Sequence, residues 1–334
     1  MAQRARTLEI RTSPHILGGY SVDTIMFNVV LALVPTTAFA VYAFGLAALL
    51  TLGTAVLACL LAEVAACRVA GRASTLGDWS AAITGLLYGL TLPPGLPLWM
   101  VAVGGIIGMT LGKSLFGGLG YNAFNPALVG RAFLQAAFPS AITTWSEPLG
   151  PEGFLRVPPG LFAAPLLRAD VDAVSAATPL GLAKFEQEFT DYGELILGQT
   201  AGSLGEASAV ILLLCGLWLG LRRLFDWRLP VATCLSIAVC AGALHWLQPE
   251  VHPTPVFALL SGGALFAVVF MVTDPATTPT TTRGAWIFGA GVGFLVVVIR
   301  QFGGLPEGVM YAILFMNALT PHINRFTQPR PFGA

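Results

Sequence analysis

The longest polar segment of the chain carries three side chains that could take part in chemistry. It reads DAVSAATPL over residues 172–180 and contains the Asp172 carboxylate and the Ser175 and Thr178 hydroxyls. These groups do not hold a metal ion tightly or move a proton at neutral pH, and the Thr178 hydroxyl is a weak nucleophile. A separate transferase would have to activate it, with Asp172 helping to position a metal-bound donor. The small neighbouring side chains leave space for a second protein and a bulky phosphate ester, so Thr178 is a candidate site of covalent attachment.

The same residues have a purely structural interpretation. Thr178 followed by Pro179 is typical of a helix N-cap with proline at the first helical position, and LGLAKFEQEF over residues 180–189 would be that helix. The two interpretations are compatible, because a phosphate at the start of a helix meets free backbone N–H groups and a favourable dipole.

Composition predicts the environment of this segment. Of the 334 residues, 55% are hydrophobic and only 10% are charged, whereas soluble domains carry about 25% charged residues. We therefore expect a polytopic protein whose apolar surface contacts the lipid bilayer. The net charge of zero gives no support to nucleic-acid binding. The scattered histidines, and five cysteines without a CxxC pair, give none to a metal site.

Apolar windows predict an all-α protein with about ten transmembrane helices. They are Thr24–Phe44, Leu46–Cys67, Ser80–Leu92, Leu98–Gly112, Asn122–Phe138, Ala207–Leu221, Leu229–Leu247, Val256–Val272, Ala285–Ile299 and Val309–Leu319. The third window ends at Pro93-Pro94 and the eighth at Asp274-Pro275, and proline stops a helix because it lacks an N–H donor. We expect both to be half-helices whose irregular ends are buried inside the protein.

Lysines and arginines predict the orientation, because short cytoplasmic loops are enriched in them. With the N-terminus in the cytoplasm, twelve of the seventeen are cytoplasmic: Arg4, Arg6, Arg11, Arg68, Arg72, Lys113, Arg222, Arg223, Arg228, Arg283, Arg325 and Arg330. The expected organisation is a cytoplasmic segment, five helices, a periplasmic loop with Thr178, five helices and a cytoplasmic tail, at residues 1–23, 24–139, 140–206, 207–322 and 323–334.

Two stretches indicate an internal repeat. KSLFGGLGYNAFNPALVGR over 113–131 and RQFGGLPEGVMYAILFMNALTPHINR over 300–325 share a cation, Phe-Gly-Gly-Leu, an Asn near Ala-Leu, and an Arg. The first follows the fourth window and the second follows the ninth, which predicts two units of five spans in opposite orientations. Arg300 would be the counterpart of Lys113. Each Phe-Gly-Gly-Leu is either a tight turn or a direct ligand contact.

Ionisable residues within spans are functional candidates by default. We expect Arg131 to face an anion or a carboxylate, and Glu63 to reach the nearby membrane interface by snorkelling. Ser203 and Glu206, in the sequence GSLGEAS, are either groups near the attachment loop or a capping box at the start of the sixth span.

Five ordered blocks cover nearly the whole chain and resemble one known family. DAVSAATPL is similar to the flavinylation motif Asp-x-x-Ser-Gly-Ala-Thr, with Ala176 in place of glycine. The other blocks are SPHI (13–16), GKSLFGGLGYNAFNPAL (112–128), GSLGEAS (202–208) and FMVTDPATTP (270–279). On these blocks the chain is identified as a member of the NqrB/RnfD family. That family comprises the D subunit of the Rnf electron-transport complex and the B subunit of the sodium-pumping NADH:quinone reductase.

The resemblance implies FMN bound to Thr178 through a phosphoester, with non-covalent riboflavin as a second flavin of the related quinone reductase. The candidate cofactor-binding residues are Thr178, Ser175, Asp172, Pro179, Ser203, Glu206 and Arg131. The implied role is that of an electron carrier in an ion-translocating ferredoxin:NAD oxidoreductase of the bacterial inner membrane, coupled to Na+ or H+ transport. The implied partners are the other Rnf subunits, especially the G subunit and the A and E membrane subunits, and a flavin transferase for maturation.

Two other hypotheses remain open. Inverted five-span units with broken helices also suit a small-solute transporter or channel, in which the outer loop is only a lid. In the other hypothesis, the chain is a structural anchor for other redox proteins. Neither of these proteins would carry flavin, so bound flavin separates both hypotheses from the first.

Overall fold

The computed structural model describes four parts of the chain: residues 21–150, 153–158, 160–165 and 176–329. The SPHI block and the side chains of Asp172 and Ser175 lie outside the described residues. Within them the protein is helical throughout and contains no β-strand. Its α-helices are α1 (Val22–Val69), α2 (Ser80–Leu90), α3 (Leu98–Gly112), α4 (Pro126–Ala137), α5 (Pro139–Ile142), α6 (Pro179–Gly181), α7 (Tyr192–Leu197), α8 (Ala209–Leu221), α9 (Arg228–Leu247), α10 (Pro255–Leu260), α11 (Ala264–Phe270), α12 (Thr282–Phe302) and α13 (Val309–Thr327). Short 3-10 turns cover Leu76–Asp78 and Ser114–Phe116, and a π-helical turn covers Leu182–Glu186.

Four helical segments in the described ranges are long and apolar enough to cross a membrane. They are α1, α3 together with the turn after it, α9 and α12, while α2 and α8 are apolar but shorter. All ten apolar windows fall on helices. The chain is therefore a multi-pass membrane protein, and the arrangement of its windows as two inverted units stays a prediction.

Helix α1 contains the first two windows and is interrupted between them at Gly45. Gly45 has a φ of +63°, a left-handed conformation that glycine adopts without the steric cost of a Cβ. The loop that follows α5 supplies new partners for the backbone there. Leu46 N donates to Phe154 O at 2.8 Å, and Leu149 N donates to Ala43 O at 2.9 Å. The buried backbone at the break is thereby hydrogen-bonded.

The third window forms a short helix, as its two prolines predict. Helix α2 ends at Leu90, before Pro93-Pro94. The carbonyls at this end accept hydrogen bonds from the chain segment before α8, with Gly205 N 2.5 Å from Leu90 O and Leu204 N 3.0 Å from Leu92 O. The irregular end of α2 is thus satisfied by protein groups from the second half of the sequence.

The eighth window is broken at a position that was not predicted. Besides stopping at Phe270, ahead of Asp274-Pro275, it is split into α10 and α11 at Ser261–Gly263. Gly262 has a φ of +64°, which permits the sharp change of direction. Arg300, near the end of α12, donates to Ala258 O at 2.6 Å and to Ser261 O at 3.1 Å. Its guanidinium therefore satisfies the carbonyls at the C-terminal end of α10.

Glu63 is buried inside the protein and does not extend toward water. Its side chain is buried, with Lys113 Nζ 2.8 Å from Glu63 Oε1, and Lys113 Nζ also donates to Ser80 Oγ at 2.7 Å. The Thr75 hydroxyl donates to the same carboxylate. The snorkelling interpretation is wrong, because a buried cation fifty residues along the chain neutralises the carboxylate in place.

Helices from both halves of the sequence share one hydrophobic core. Helix α1 packs on α2, α3 and α8, α9 packs on α12, and α4 contacts α13. Close approach of α2 to α1 requires glycine, since a Cβ on Gly85 would lie 2.5 Å from Val56 Cα. These contacts bring helices from both halves of the sequence together.

Candidate functional site

Thr178 caps a short helix. Its Oγ1 accepts a hydrogen bond from Gly181 N at 3.1 Å, and the buried Pro179 occupies the first helical position of α6. The predicted N-cap is confirmed. The helix is shorter than the predicted 180–189, because α6 runs directly into the π-helical turn, which is terminated by Gln187 with a φ of +58°.

Apolar side chains hold α6 against the broken eighth span. Leu180 packs on the break itself, where a Cβ on Gly262 would lie 3.5 Å from Leu180 Cγ. Ala183 belongs to a small buried cluster with Leu195 of α7 and Phe257 of α10. The helix that begins at the candidate attachment residue therefore rests on the second half of the molecule.

A cavity of about 310 Å³ lies beside Thr178, within the size range of small-molecule and cofactor sites. Aromatic and charged side chains line it: Trp145, Phe185, Tyr311, Arg131, Glu186 and Glu307. The backbone before Thr178 is tied to the same wall, since Ala176 N donates to Trp145 O at 3.0 Å. The cavity thus combines flat aromatic surface, one cation, two carboxylates and the threonine hydroxyls of Thr143 and Thr178.

Arg131 is brought to this cavity by α4 and has a carboxylate partner. Its Nη2 lies 2.6 Å from Glu307 Oε2, and its Nη1 donates to Thr91 O at 2.7 Å, just beyond α2. Glu307 Oε1 accepts from Gly263 N at 3.0 Å, at the break before α11. The prediction that Arg131 faces an anion or a carboxylate is therefore confirmed, and the carboxylate is that of Glu307.

Glu307 was not identified from the sequence. It lies in FGGLPEG, the second Phe-Gly-Gly-Leu block, and its partner is 176 residues away. The only signal in the sequence was its position within a repeated block. The first copy of the block, FGGLGYN, contains no acidic residue. This difference between the two copies would have marked Glu307 as a candidate.

Ser203 and Glu206 do not line the cavity beside Thr178. Ser203 N and Oγ both donate to Glu206 Oε1, at 3.2 and 2.9 Å. Helix α8 begins only at Ala209, so the prediction of a capping box at the start of the sixth span is wrong. The two residues instead close a turn ahead of the helix.

A second, smaller cavity lies between Ser203 and the ion pair. It has a volume of about 20 Å³ and is lined in part by Ser203, Arg131 and Glu307, which is room for about one water molecule. Glu206 lies outside the spanning helices. Burial raises the pKa of its carboxyl to about 7, and the Glu307 carboxylate adds to the rise.

The structure thus gathers Thr178 and Arg131 at one cavity, whereas Pro179 is buried and does not line it. Ser203 and Glu206 do not line this cavity either. A hydroxyl at a cavity with aromatic walls and one guanidinium suits a planar aromatic group that is joined to the hydroxyl through a phosphate.

Comparison with known proteins places the chain in a family. The model of the NQR2, RnfD, RnfE family matches residues 9–333. The chain is 39% identical to the D subunit of the proton-translocating ferredoxin:NAD(+) oxidoreductase complex of Clostridium ljungdahlii, over 97% of this chain and 96% of that protein. It is 39% identical to the D subunit of the ion-translocating oxidoreductase complex of Halorhodospira halophila (97% and 95% covered). It is 37% identical to the D subunit of the Na(+)-translocating ferredoxin:NAD(+) oxidoreductase complex of Acetobacterium woodii (98% and 95% covered). The predicted membership is confirmed, and the chain belongs to the NQR2, RnfD, RnfE family.

Proposed function

We propose that this protein is the membrane flavoprotein subunit of an ion-translocating ferredoxin:NAD oxidoreductase complex and that it carries FMN on Thr178. The observation that carries the proposal is the aromatic-walled cavity beside the Thr178 hydroxyl. The names of the relatives support the complex: they are the D subunits of a proton-translocating and a Na(+)-translocating oxidoreductase. Because those names differ in the ion, the proposal covers either Na+ or H+ as the coupling ion.

The residues present fit FMN by size and by chemistry. A flavin supplies the redox chemistry when it is bound, and the protein supplies position and electrostatics. Thr178 would hold the phosphate as an ester, and its oxygen already faces Gly181 N as an acceptor. Trp145 and Tyr311 would cover the ring system, and Arg131 would balance negative charge.

The ion pair limits what Arg131 can contribute. One of its terminal nitrogens donates to Glu307 and the other to Thr91 O, so the guanidinium is fixed in position before any cofactor binds. A cation held in this way acts on the cofactor through its field at a fixed distance, with no side-chain rearrangement.

The proposal includes the location and partners that follow from it. The protein lies in the bacterial inner membrane with both termini in the cytoplasm and the loop around Thr178 in the periplasm. The A, E and G subunits would be its electron-transfer partners, and a flavin held on Thr178 would supply the redox chemistry of this subunit. A flavin transferase attaches the FMN, and riboflavin would be a second, non-covalent flavin.

The test is co-production of the complex with a flavin transferase, followed by in-gel fluorescence of the denatured protein and peptide mass spectrometry. We expect an FMN adduct on the peptide that contains Thr178, its loss in Thr178→Ala and its retention in Thr178→Ser, which keeps the hydroxyl. Thr143→Ala is the matched control, because Thr143 lines the same cavity but its hydroxyl bonds to Pro139 O at 2.8 Å.

Two results would count against the proposal. Covalent flavin that persists in Thr178→Ala would place the attachment elsewhere. A folded protein without any flavin, made beside a transferase that loads a control substrate, would favour the small-solute transporter or the structural anchor.

A further inference from the structure

Lys184 makes an unusual set of contacts for a residue of an extramembrane loop. Its Nζ donates to three backbone carbonyls: Arg300 O at 2.8 Å, Gly303 O at 2.5 Å and Leu305 O at 3.0 Å. An ammonium group has three N–H donors, so all of its hydrogen-bonding capacity is directed to one short stretch of backbone.

This stretch is the C-terminal end of α12 and the Phe-Gly-Gly-Leu block that follows it. The last carbonyls of a helix have no intrahelical partner and carry the negative end of the helix dipole. A cation there is favourable for both reasons. Of the two interpretations of the second block, a turn or a direct ligand contact, the contacts support a turn whose carbonyls bind a side chain of the same protein.

Lys184 also belongs to the segment that begins at the attachment residue. Helix α6 starts directly after Thr178 and continues into the π-helical turn Leu182–Glu186, which contains Lys184. The next residue, Phe185, lines the cavity, and so do Leu305 and Glu307. Lys184 therefore joins two chain segments that both line the cavity.

The remaining contacts of this segment with the second half are apolar. Leu180 lies on Gly262, and Ala183 packs with Phe257. Apolar contacts of this kind allow small rotations and translations, whereas three hydrogen bonds from one ammonium group fix both distance and direction. Partial burial lowers the pKa of Lys184 from its usual value, in keeping with an amine held against protein carbonyls.

We propose that Lys184 is the positioning residue of the flavin site: it docks the loop that carries Thr178 onto the end of α12 and so holds the cavity walls, and the flavin between them, in one arrangement. The docking of the loop is inferred from the three hydrogen bonds alone. The effect on the flavin rests in addition on the proposed function. The ammonium group is directed at backbone carbonyls rather than at the attachment hydroxyl or the ion pair, so Lys184 acts through the loop.

The docking is tested first on the protein without flavin, produced in its complex but without the transferase. Amide hydrogen exchange is followed by mass spectrometry on peptides from 180–189 and 303–308. We expect Lys184→Met, which keeps the length of the side chain and removes its donors, to raise exchange in both peptides by about fivefold or more. Arg156→Met, which removes an exposed cation of the same loop, should leave both peptides unchanged.

The consequence for the flavin is tested on the loaded complex. We expect Lys184→Met to carry the same amount of covalent FMN as the parent, with lower fluorescence anisotropy of that FMN because the ring system is less restricted. Lys184→Arg keeps the charge but presents a planar fork instead of three divergent donors, so its anisotropy and exchange should lie between those of the parent and Lys184→Met. If Lys184→Met is recovered only as aggregate, Lys184→Arg is the variant that is compared with the parent.

The outcomes separate the two claims. Unchanged exchange in Lys184→Met, or in Lys184→Arg where only that variant is folded, overturns the docking. Raised exchange with unchanged anisotropy overturns the positioning of the flavin. A parent protein without FMN on Thr178 removes the proposed function, while the exchange experiment still decides the docking.

Discussion

The guanidinium of Arg131 and the carboxylate of Glu307 form an ion pair, with Nη2 and Oε2 2.6 Å apart, that joins α4 to the segment before α13. Arg131 also binds the carbonyl of Thr91 beyond α2, and Glu307 also binds Gly263 N at the break before α11. One pair of side chains thus holds both irregular helix ends beside the cavity that Thr178 lines. This pair and three other features of the fold each lead to a measurable expectation.

Removing Arg131 should destabilise the protein strongly. In Arg131→Met the Glu307 carboxylate keeps its place but loses its cation, and breaking a buried pair in this way costs about 3–5 kcal/mol. We expect a clearly lower melting temperature in detergent, measured by the loss of helical circular dichroism. Replacing both partners, Arg131→Met with Glu307→Leu, should recover most of the loss because no unpaired charge is left. Equal melting temperatures for the single and double variants would contradict this expectation, because an unpaired Glu307 charge would then not be the source of the loss.

Glu206 should make stability depend on pH. Its folded-state pKa of about 7 lies above the ordinary value of 4.5, so between these values the folded state binds more protons than the unfolded state. This contribution to stability is fully present below pH 4.5 and is lost as the pH rises through 7. Glu206→Gln imitates the protonated form and should flatten the decrease of melting temperature over this range. Glu188→Gln, at an exposed carboxylate of the same loop, should follow the parent curve; a Glu206→Gln curve that did the same would refute the prediction.

Gly45 should not tolerate a side chain. A Cβ there would lie 2.8 Å from Phe154 Cα, and the φ of +63° costs an L-residue about 1–2 kcal/mol before any clash. Gly45→Ala should therefore lower the melting temperature. Gly53→Ala is the matched control in the same helix, because a Cβ at Gly53 meets nothing within 4 Å and alanine favours the helix by about 0.5–1 kcal/mol. Similar effects of the two substitutions would argue against the break at Gly45.

The buried pair of Glu63 and Lys113 should respond differently from a surface pair. Glu63→Gln leaves the fully buried Lys113 ammonium without a counter-charge, at a cost of about 3 kcal/mol. Asp226→Asn removes the counter-charge of Arg228, but both side chains of that pair are about one-third exposed, so the effect should stay below about 1 kcal/mol. Thermal unfolding of the two variants in one detergent gives the comparison. Equal effects would contradict the burial of the Glu63 carboxylate.

The sequence predicts features of this protein that depend on neighbouring residues. The N-cap at Thr178 follows from the adjacent Pro179, and the end of α2 follows from Pro93-Pro94, because a cap or a missing N–H donor acts within one helical turn. Apolar windows locate the helices for the same reason. The partner of Arg131 is predicted by chemical type, since a charge inside a span requires one, but its identity is not.

Features that depend on distant residues were missed or misjudged. Arg68 is close to Glu63 in the sequence, which led to the prediction that Glu63 snorkels to the membrane interface. Its actual partner, Lys113, lies fifty residues further along the chain. The break of the eighth span at Gly262 has no distinctive local sequence, because small residues are common within membrane helices. It depends on Leu180 and Arg300, which contact the break from distant parts of the sequence. Ser203 N donates to the Glu206 carboxylate as in a capping box, but Glu206 N bonds to the Ser203 carbonyl instead of its hydroxyl, and the helix starts later than the pattern suggests.

The interruption of α1 at Gly45 also bears on the order in which the protein is made. Backbone groups at the break find their partners in the loop after α5, where Phe154 O accepts from Leu46 N and Leu149 N donates to Ala43 O. All of α1 leaves the ribosome before that loop is synthesised. The first two apolar segments therefore enter the membrane with this junction open, and it closes only when the chain has grown to Phe154. Assembly of the N-terminal helices is in this respect a late event, even though their residues are the first to be translated.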